Sequence, residues 1–241
     1  MRDPDSLEVN GGYKIHKHKE AKSFCQLTSG ASKEFAATEF PVIYPKRAIL
    51  FLEGQQARGV FILQQGEVKL SISSSEGKRL IIQVAQAGDF LGLMAALAAS
   101  PYEVTAETIC FCEAVFVRRE DFLSYIRKYP EASQIVAKQI SAQYQATCEQ
   151  LRTIGLSASV HQKLARLLLS WSNRAQKNGE CGSVKLSLTH EEMAECIGTT
   201  RETVTRALSA FRHRHLVELR GSRFMIPSRR ALETFAGTLE L

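Results

Sequence analysis

Two Thr-x-x-Glu segments near the C-terminus constrain the fold of this chain more than any other feature. Residues 189–192 (THEE) and 199–202 (TTRE) have the pattern of a capping box, in which a threonine hydroxyl and a glutamate carboxylate satisfy each other's free backbone donors. Between the two segments, Gly198 tolerates the left-handed backbone of a tight turn. The pattern therefore predicts two short helices joined by a turn, which is a helix-turn-helix.

The second predicted helix has an apolar face and a polar face. Val204, Leu208 and Phe211 recur at the spacing of one helical face, which predicts that they are buried. On the other face, arginine can donate two hydrogen bonds to guanine, glutamate can accept one from cytosine, and threonine offers a hydroxyl and a methyl group. The alternative is an ordinary helical hairpin with a solvated charged face. The predicted base-reading residues are Arg201, Glu202, Thr205 and Arg206.

A short basic hairpin is predicted directly after these helices. Residues 216–226 alternate in polarity around Gly221-Ser222, which is typical of a β-hairpin with a two-residue turn. Arg220 and Arg223 flank the tip, where they could contact DNA phosphates. A helix-turn-helix followed by such a hairpin is a winged helix.

The distribution of charge agrees with this prediction. Residues 158–241 contain 13 Lys and Arg against 8 Asp and Glu, whereas residues 1–157 contain 18 against 17. The excess positive charge therefore lies in the part predicted to bind DNA.

The middle of the chain has the pattern of an all-β domain. Glycines recur every 11 or 12 residues with short strand-like segments between them, which is typical of a barrel or sandwich. Residues 105–117 predict a further strand pair, with Cys110 and Cys112 on one face. No other Cys or His stands at a spacing that would support a metal site, so we predict buried core cysteines. The glycines are Gly54, Gly66, Gly77 and Gly88, and the segments are residues 60–63, 68–72 and 80–84.

A long helix is predicted over residues 131–156. Its apolar positions repeat at alternating spacings of 3 and 4, which is the seam of a coiled coil and favours a homodimer. The alternative is a helix packed on its own β domain. A twofold protein would bind a palindromic DNA site. The seam consists of Ala137, Ile140, Tyr144, Thr147, Leu151 and Ile154.

These elements predict an α+β chain with four parts. Residues 1–39 are a tail or helical lead-in, 40–130 a jelly-roll-like β-roll, 131–157 the dimerisation helix and hinge, and 158–241 the winged helix-turn-helix. No run of about 18 apolar residues predicts a membrane span, and the start lacks an apolar signal segment, so the cytoplasm is the expected compartment. No catalytic constellation stands out, and we do not expect an enzyme.

The order of these parts resembles the CRP/FNR superfamily of bacterial transcription regulators. The likeness extends from Phe40 to Ile226 and is carried by residues 61–68 (FILQQGEV), 87–92 (AGDFLG) and 200–206 (TRETVTR). The resemblance implies a cyclic-nucleotide-binding-type β-roll, double-stranded DNA and RNA polymerase as partners, and a TGTGA-type half-site. It also implies that Arg201, Glu202 and Arg206 read its G·C pairs.

Several backbone contacts with DNA follow from the same comparison. The position that matches Thr189 commonly contacts phosphate in this superfamily, and Thr189 suits that role. We extend the prediction to Thr199 and Thr200, beside Arg220 and Arg223 of the hairpin.

The resemblance is weaker where an effector would bind. Cyclic-AMP-binding members have a glutamate after the glycine of Gly-Asp-Phe-x-Gly and an Arg-Ser pair about ten residues later. Here Leu93 follows Gly92, and the matching stretch is residues 102–105 (YEVT), in which Glu103 would repel a cyclic phosphate. We therefore expect that the chain does not use cyclic AMP.

The segment around Leu93 is unusually apolar, and two explanations stay open. It could line a site for an uncharged or lipophilic effector, or it could be a filled core in a protein controlled by its own abundance. Thr147 on the long helix matches a position that contacts the nucleotide in the superfamily, and here it is either a ligand contact or a seam residue. The candidate pocket residues are Leu91, Leu93, Met94, Tyr102, Thr105 and Thr147.

The cysteines and histidines bear on other effector chemistries. Cys25 is the one cysteine of the first 109 residues, and an iron–sulfur cluster needs more thiolate ligands than that. Binding of haem is an open alternative, with His16, His18 or His161 as the ligand of its iron. Cys196 suggests a redox hypothesis in which oxidation changes DNA binding. A different class of function, a ligand-binding regulatory subunit that acts through protein contacts, is the alternative to DNA binding.

Overall fold

The computed structural model describes residues 40–177 and 183–237, together with the backbone of residues 6–9 and 13–16. Strands β1 (Ser6–Val9) and β2 (Tyr13–His16) form an antiparallel pair. The tail or helical lead-in predicted for residues 1–39 thus contains a hairpin, and His16 belongs to a strand. The rest of that range, including Cys25 and His18, lies outside the described residues.

The β-roll consists of two four-stranded antiparallel sheets. One sheet has the order β3-β10-β5-β8 and the other β4-β9-β6-β7. The turn glycines at 54, 66, 77 and 88 all have positive φ angles, as the spacing predicts. The strands are β3 (Phe40–Tyr44), β4 (Ile49–Phe51), β5 (Gly59–Gln65), β6 (Glu67–Ser73), β7 (Arg79–Gln86), β8 (Phe90–Leu91), β9 (Thr105–Thr108) and β10 (Cys112–Arg118).

The strand pair predicted for residues 105–117 is wrong in its pairing. β9 pairs with β4 and β6, whereas β10 pairs with β3 and β5 in the opposite sheet. The connection at 109–111 therefore crosses between the sheets instead of forming a hairpin. Alternating polarity predicts a strand but not which strand lies beside it. The thiols behave as predicted in part, since Cys112 is buried and Cys110 is half-buried.

Three helices follow from the β-roll. They are α1 (Leu93–Ala98), α2 (Arg119–Lys128) and the long α3 (Pro130–Leu156). Ala132 and Val136 of α3 pack into the β-roll core, and Gln139 and Gln143 donate to the carbonyls of Gly88 and Phe90 at 3.2 and 2.6 Å. One face of α3 thus packs on its own β domain, which was the alternative to the coiled coil.

The C-terminal part is a winged helix-turn-helix. It contains α4 (Val160–Lys177), β11 (Val184–Lys185), α5 (His190–Ile197), α6 (Arg201–His213), β12 (Glu218–Arg220), β13 (Arg223–Met225) and α7 (Arg229–Ala236). Val204, Leu208 and Phe211 are buried as the periodicity predicts, together with Leu164 and Leu168 of α4. The three strands form one small sheet in the order β11-β13-β12.

The two domains share a hydrophobic core. Ile81 of β7 and Ile109 of the β-roll belong to the same buried cluster as Met193 and Ile197 of α5. The outer face of the β4-β9-β6-β7 sheet is therefore covered by the first helix of the helix-turn-helix.

Candidate DNA-binding surface

The first helix of the motif begins as the sequence predicts. The Thr189 hydroxyl accepts from the Glu192 backbone N–H at 3.2 Å, and Oε2 of Glu192 accepts from the Thr189 backbone N–H at 2.8 Å. The capping box is therefore present. Helix α5 ends at Gly198, whose φ of 65° is left-handed and lets its N–H donate to the Ala194 carbonyl.

The second predicted capping box is wrong by one residue. The N-cap of α6 is Thr200, whose hydroxyl accepts from the Thr203 N–H at 3.4 Å. Thr199 is not available for this role, because its own backbone N–H donates to the Ala194 carbonyl at 3.0 Å and completes the end of α5. Because the turn is so short, Thr199 caps the C-terminal end of α5 and the next residue, Thr200, is the N-cap of α6.

The predicted base-reading face lies on the solvent side of α6. Arg201, Glu202, Thr205 and Arg206 are all exposed, as is Ser209 one turn further on. The Glu202 backbone N–H, the Thr200 hydroxyl and the neighbouring arginines hold the pKa of the Glu202 carboxyl below its ordinary value, so it is an ionised acceptor at neutral pH. The face thus presents two cations, one anion and one hydroxyl.

One contact of this face was not predicted from the sequence. Nδ1 of His190, on α5, lies 2.9 Å from the Thr205 hydroxyl, which also donates to the Arg201 carbonyl at 3.0 Å. His190 therefore holds the orientation of a predicted base-reading side chain. Local sequence patterns carry no signal for it, because the two residues lie on different helices.

The hairpin has the predicted two-residue turn, and the arginines that flank its tip contact neighbouring residues of the protein. Arg220 faces Arg223 across the turn, and Gly221 has a φ of 60°. Arg220 pairs with Glu218 at 3.3 Å, and Arg223 donates to the hydroxyl and carbonyl of Ser183 at 2.8 and 2.6 Å. Both arginines are exposed, and each is oriented by a neighbour in the wing sheet or its approach.

The six candidate effector residues do not come together around one cavity. Leu91, Leu93 and Tyr102 are buried in the β-roll, whereas Met94 is 47% exposed. The Tyr102 ring stacks on Phe51 with centroids 3.9 Å apart, and its hydroxyl donates to the Gly59 carbonyl at 2.9 Å. These packed side chains favour the filled-core explanation over an effector pocket.

The remaining two candidates are also engaged elsewhere. The Thr105 hydroxyl accepts from the Glu53 N–H at 3.0 Å, and the exposed Thr147 donates to the Gln143 carbonyl of its own helix at 2.9 Å. Two cavities of about 330 and 450 Å³ lie instead between the β-roll and the winged domain, and Val84, Trp171 and Arg174 line both.

The buried thiols are poorly suited to oxidation. Burial, reinforced by the charges of Glu195 and Glu192, raises the pKa of Cys196, and burial beside Cys110 raises the pKa of Cys112 to about 12. The thiolate is the reactive form, so both side chains are unreactive at neutral pH. The structure therefore disfavours the redox hypothesis for Cys196.

Residues 40–177 and 183–237 hold no group of three His, Cys, Asp or Glu side chains arranged to bind a metal ion. Within the same ranges no helix combines the length and apolarity needed to cross a bilayer.

Comparison with known families gives two matches along the chain. Residues 41–129 match the cyclic nucleotide-binding domain, and residues 162–235 match the Crp-like helix-turn-helix domain. The first match covers the β-roll and α2, and the second runs from α4 to α7.

The chain is similar to known regulators over most of its length. The chain is 28% identical over 187 residues to the CRP-like cAMP-activated global transcriptional regulator of Mycobacterium tuberculosis, covering 77% of this chain and 83% of that protein. It is 23% identical to the cAMP-activated global transcriptional regulator CRP of Escherichia coli O157:H7, covering 76% and 87%. The structure of FixK2 from Bradyrhizobium japonicum superposes with a TM-score of 0.74 at 20% identity, covering 81% of this chain and 96% of that one.

Proposed function

This chain belongs to the CRP/FNR superfamily of transcription regulators, and on that premise we propose that it binds a palindromic DNA site with TGTGA-like arms as a homodimer. The observation that carries the proposal is the recognition face of α6. Arg201, Glu202 and Arg206 project from the first two turns of this helix, and all three are exposed. In helix-turn-helix proteins this end of the helix enters the major groove.

We assign a separate role to each side chain. The arginines suit guanine O6 and N7, and the ionised Glu202 suits the amino group of cytosine. Thr205, held by His190, offers a hydroxyl and a methyl group at the next position along the face. Thr189, Thr199, Thr200, Arg220 and Arg223 are the proposed phosphate contacts, and their contribution is independent of sequence.

The proposal of a homodimer rests on the outer face of α3. Tyr144 and Leu151 are 69% and 64% exposed, although the opposite face of the helix packs on the β-roll. Thr147 is exposed and Ile140 and Ile154 are half-buried at the predicted seam positions. A second copy of α3 would bury this apolar stripe and place two recognition helices about one turn of DNA apart.

We further propose that this protein does not respond to cyclic AMP, although both relatives are named as cAMP-activated. An added Cβ at Gly92 would lie 2.4 Å from the Tyr102 ring, which shows how closely the β-roll core is packed there. Leu93 is buried, and residues 102–105 contain no arginine to pair with a phosphate. The residues present therefore do not fit a cyclic nucleotide.

RNA polymerase is the proposed protein partner, and the cytoplasm the proposed compartment, because a DNA-bound regulator of this superfamily acts on transcription there. Calorimetry tests the effector proposal. We expect no saturable heat on titration with cyclic AMP up to millimolar concentration, and saturation in the micromolar range would overturn it.

Selection from a random duplex library, with protein purified without ligand, tests the DNA site. We expect a palindrome whose arms change at one base pair when Arg206 is replaced by alanine. Arg212→Ala is the matched control, because Arg212 lies on the same helix in its last turn and is also exposed. Recovery of unrelated sequences would contradict the proposal.

A further inference from the structure

A single buried lysine connects the two domains. Val68 and Leu70 of β6 belong to the β-roll core, so Lys69 between them points to the opposite face of the sheet. That face is covered by α5, and Lys69 is only 6% exposed. Burying an ammonium group costs free energy unless an opposite charge pairs with it, so Lys69 is stable in this position only with its partners in place.

The partners of Lys69 lie on both sides of the domain boundary. Its Nζ lies 3.1 Å from Oε1 of Glu107, the residue opposite it on β9, and 2.8 Å from Oε1 of Glu192 on α5. Glu192 is the same residue that closes the capping box with Thr189, through its other oxygen. One carboxylate therefore both starts the first helix of the motif and ties it to the β-roll.

The charges agree with a formed ion pair. Burial would lower the pKa of Lys69, but the hydrogen bonds and charges of Glu192 and Glu107 outweigh it and raise the pKa. Burial alone would raise the pKa of Glu192, whereas Lys69 and the Thr189 backbone lower it. Both groups are therefore charged at neutral pH.

Hydrogen bonds to backbone carbonyls reinforce the same boundary. Nε2 of Gln150, on α3, donates to the Ile81 carbonyl of β7 at 3.1 Å and to the Cys196 carbonyl of α5 at 2.6 Å. Arg174 of α4 donates to the Val84 carbonyl of β7. These bonds use backbone carbonyls, whereas the contact of Lys69 with Glu192 is between two charged side chains.

We propose that Lys69 is a positioning residue for DNA recognition: its ion pair with Glu192 holds α5 on the β-roll and so sets the orientation of α6. This inference rests on the proposed DNA-binding function. The docked arrangement leaves Arg201, Glu202 and Arg206 exposed, and of the two helices of the motif it is α5 that packs on the sheet. Docking is therefore compatible with access to DNA, and a domain held in one orientation loses less entropy on binding.

Two variants test this role against simple electrostatics. Glu192→Gln keeps a capping-box residue at the same position but loses the charge that pairs with Lys69. General electrostatics predicts that removing a negative charge strengthens DNA binding. We expect the opposite, an affinity for the selected site weaker by about tenfold, within the usual range for coupling between sites.

Lys69→Met completes the double-mutant cycle. It should also weaken specific binding about tenfold, and the double variant should be no weaker than either single variant, because both remove one interaction. Arg79→Met is the matched control, since Arg79 pairs with Glu107 at 3.3 Å as Lys69 does but makes no ion pair with Glu192, and acts on α5 only through the longer-range effect of its charge on Glu195. Its affinity should equal that of the parent.

Trp171 supplies a readout that needs no DNA. It is the one tryptophan of the chain and lines both cavities between the domains. We expect greater quenching of its fluorescence by acrylamide in Glu192→Gln and Lys69→Met than in the parent or Arg79→Met. If Lys69→Met does not fold, Glu192→Gln alone tests the proposal. In Glu192→Gln the buried Lys69 still pairs with Glu107, so this variant is expected to fold.

The outcomes separate this inference from the proposed function. If the parent binds no DNA, the proposed function is wrong, and unchanged quenching in both variants would then reject the role of Lys69 as well. If Glu192→Gln binds the selected site as tightly as the parent, the positioning role is overturned.

Discussion

The two helices of the helix-turn-helix differ in what surrounds them, although both begin at a threonine cap. Helix α5 faces the β-roll, where Glu192 meets Lys69 and the Cys196 carbonyl accepts from Gln150. Helix α6 buries one stripe in its own domain and presents Arg201 and Arg206 to solvent. One helix is therefore held by the β-roll, and the other presents its polar face to solvent, where the proposed DNA site would bind.

This difference shows how a change in the β-roll can reach a DNA-binding surface that it does not touch. A shift of β6 or β7 would move α5 directly, and α6 would follow because both helices share one core. Damage to α5 contacts should therefore reduce domain stability, whereas damage to the outer face of α6 should affect only DNA binding.

The largest expected effect is on folding. Lys69→Met leaves two carboxylates near each other without their shared cation, and breaking a buried ion pair in this way costs about 3 kcal/mol of unfolding free energy. Urea unfolding monitored by circular dichroism measures it. Arg206→Ala on α6 should change the same quantity by less than about 0.5 kcal/mol, as is usual for exposed sites. Equal losses in the two variants would remove the contrast between the helices.

The next effect is on DNA affinity. Arg206→Ala should cost about 1–3 kcal/mol on the selected site and relax the preference at one base pair. Fluorescence anisotropy with the selected duplex and with a scrambled duplex measures both. A similar loss on scrambled DNA would mean that Arg206 contacts phosphate, and Arg212→Ala shows how much a lost positive charge contributes by itself.

A smaller effect distinguishes the two threonines between the helices. Thr200→Ala removes the N-cap of α6 and should destabilise the domain by about 1 kcal/mol. Thr199→Ala should cost less, because Thr199 completes α5 through its backbone N–H, which alanine retains. Thermal unfolding of the two variants compares them directly, and a larger loss for Thr199→Ala would restore the capping box that the sequence suggests.

The smallest effect is expected on acidification. The pKa of Glu192 is lowered from 4.5, so its contribution to stability is present above that pH and is lost as the pH falls through the lowered value. Burial raises the pKa of Glu195 on the same helix, so its protonation opposes this loss. Other charged groups at this boundary are Lys69, Arg79, Glu107, Glu191 and Arg174.

Comparison of variants isolates the contribution of Glu192. The stability difference between the parent and Glu192→Gln should shrink as the pH falls below 4.5, because the parent carboxyl then also becomes neutral. Urea unfolding at a series of pH values gives this difference. A gap that stays constant would show that Glu192 acts through its shape and not through its charge.

The sequence predicted most of the elements of the candidate DNA-binding surface. The capping box at Thr189 and the stripe of Val204 and Leu208 are local signals, and each agrees with the structure. The cap of α6 was misplaced because Thr199 and Thr200 are chemically equal, and only the path of the turn decides between them. The contact of His190 with Thr205 was missed because it joins two helices.

The β-roll shows the same limit. Its glycine turns were predicted, but residues 105–117 were predicted to form a strand pair, although β9 and β10 lie in opposite sheets. The apolar segment at Leu91 and Leu93 was compatible with a pocket or a filled core, and the stacking of Tyr102 on Phe51 favours the core. Hydrophobicity alone does not distinguish a lined cavity from a packed one.

By itself, the sequence determined the start of α5, the positions of the glycine turns and which helical faces are apolar, and it indicated the family to which the chain belongs. These features depend on residues within a few positions of one another, so capping, periodicity and turn chemistry are sufficient. Only the tertiary structure decided that Lys69 meets Glu192, 123 positions away, and that α5 faces inward while α6 faces outward. The physical reason is that a buried charge takes whichever partner the packing of two domains brings within hydrogen-bond distance.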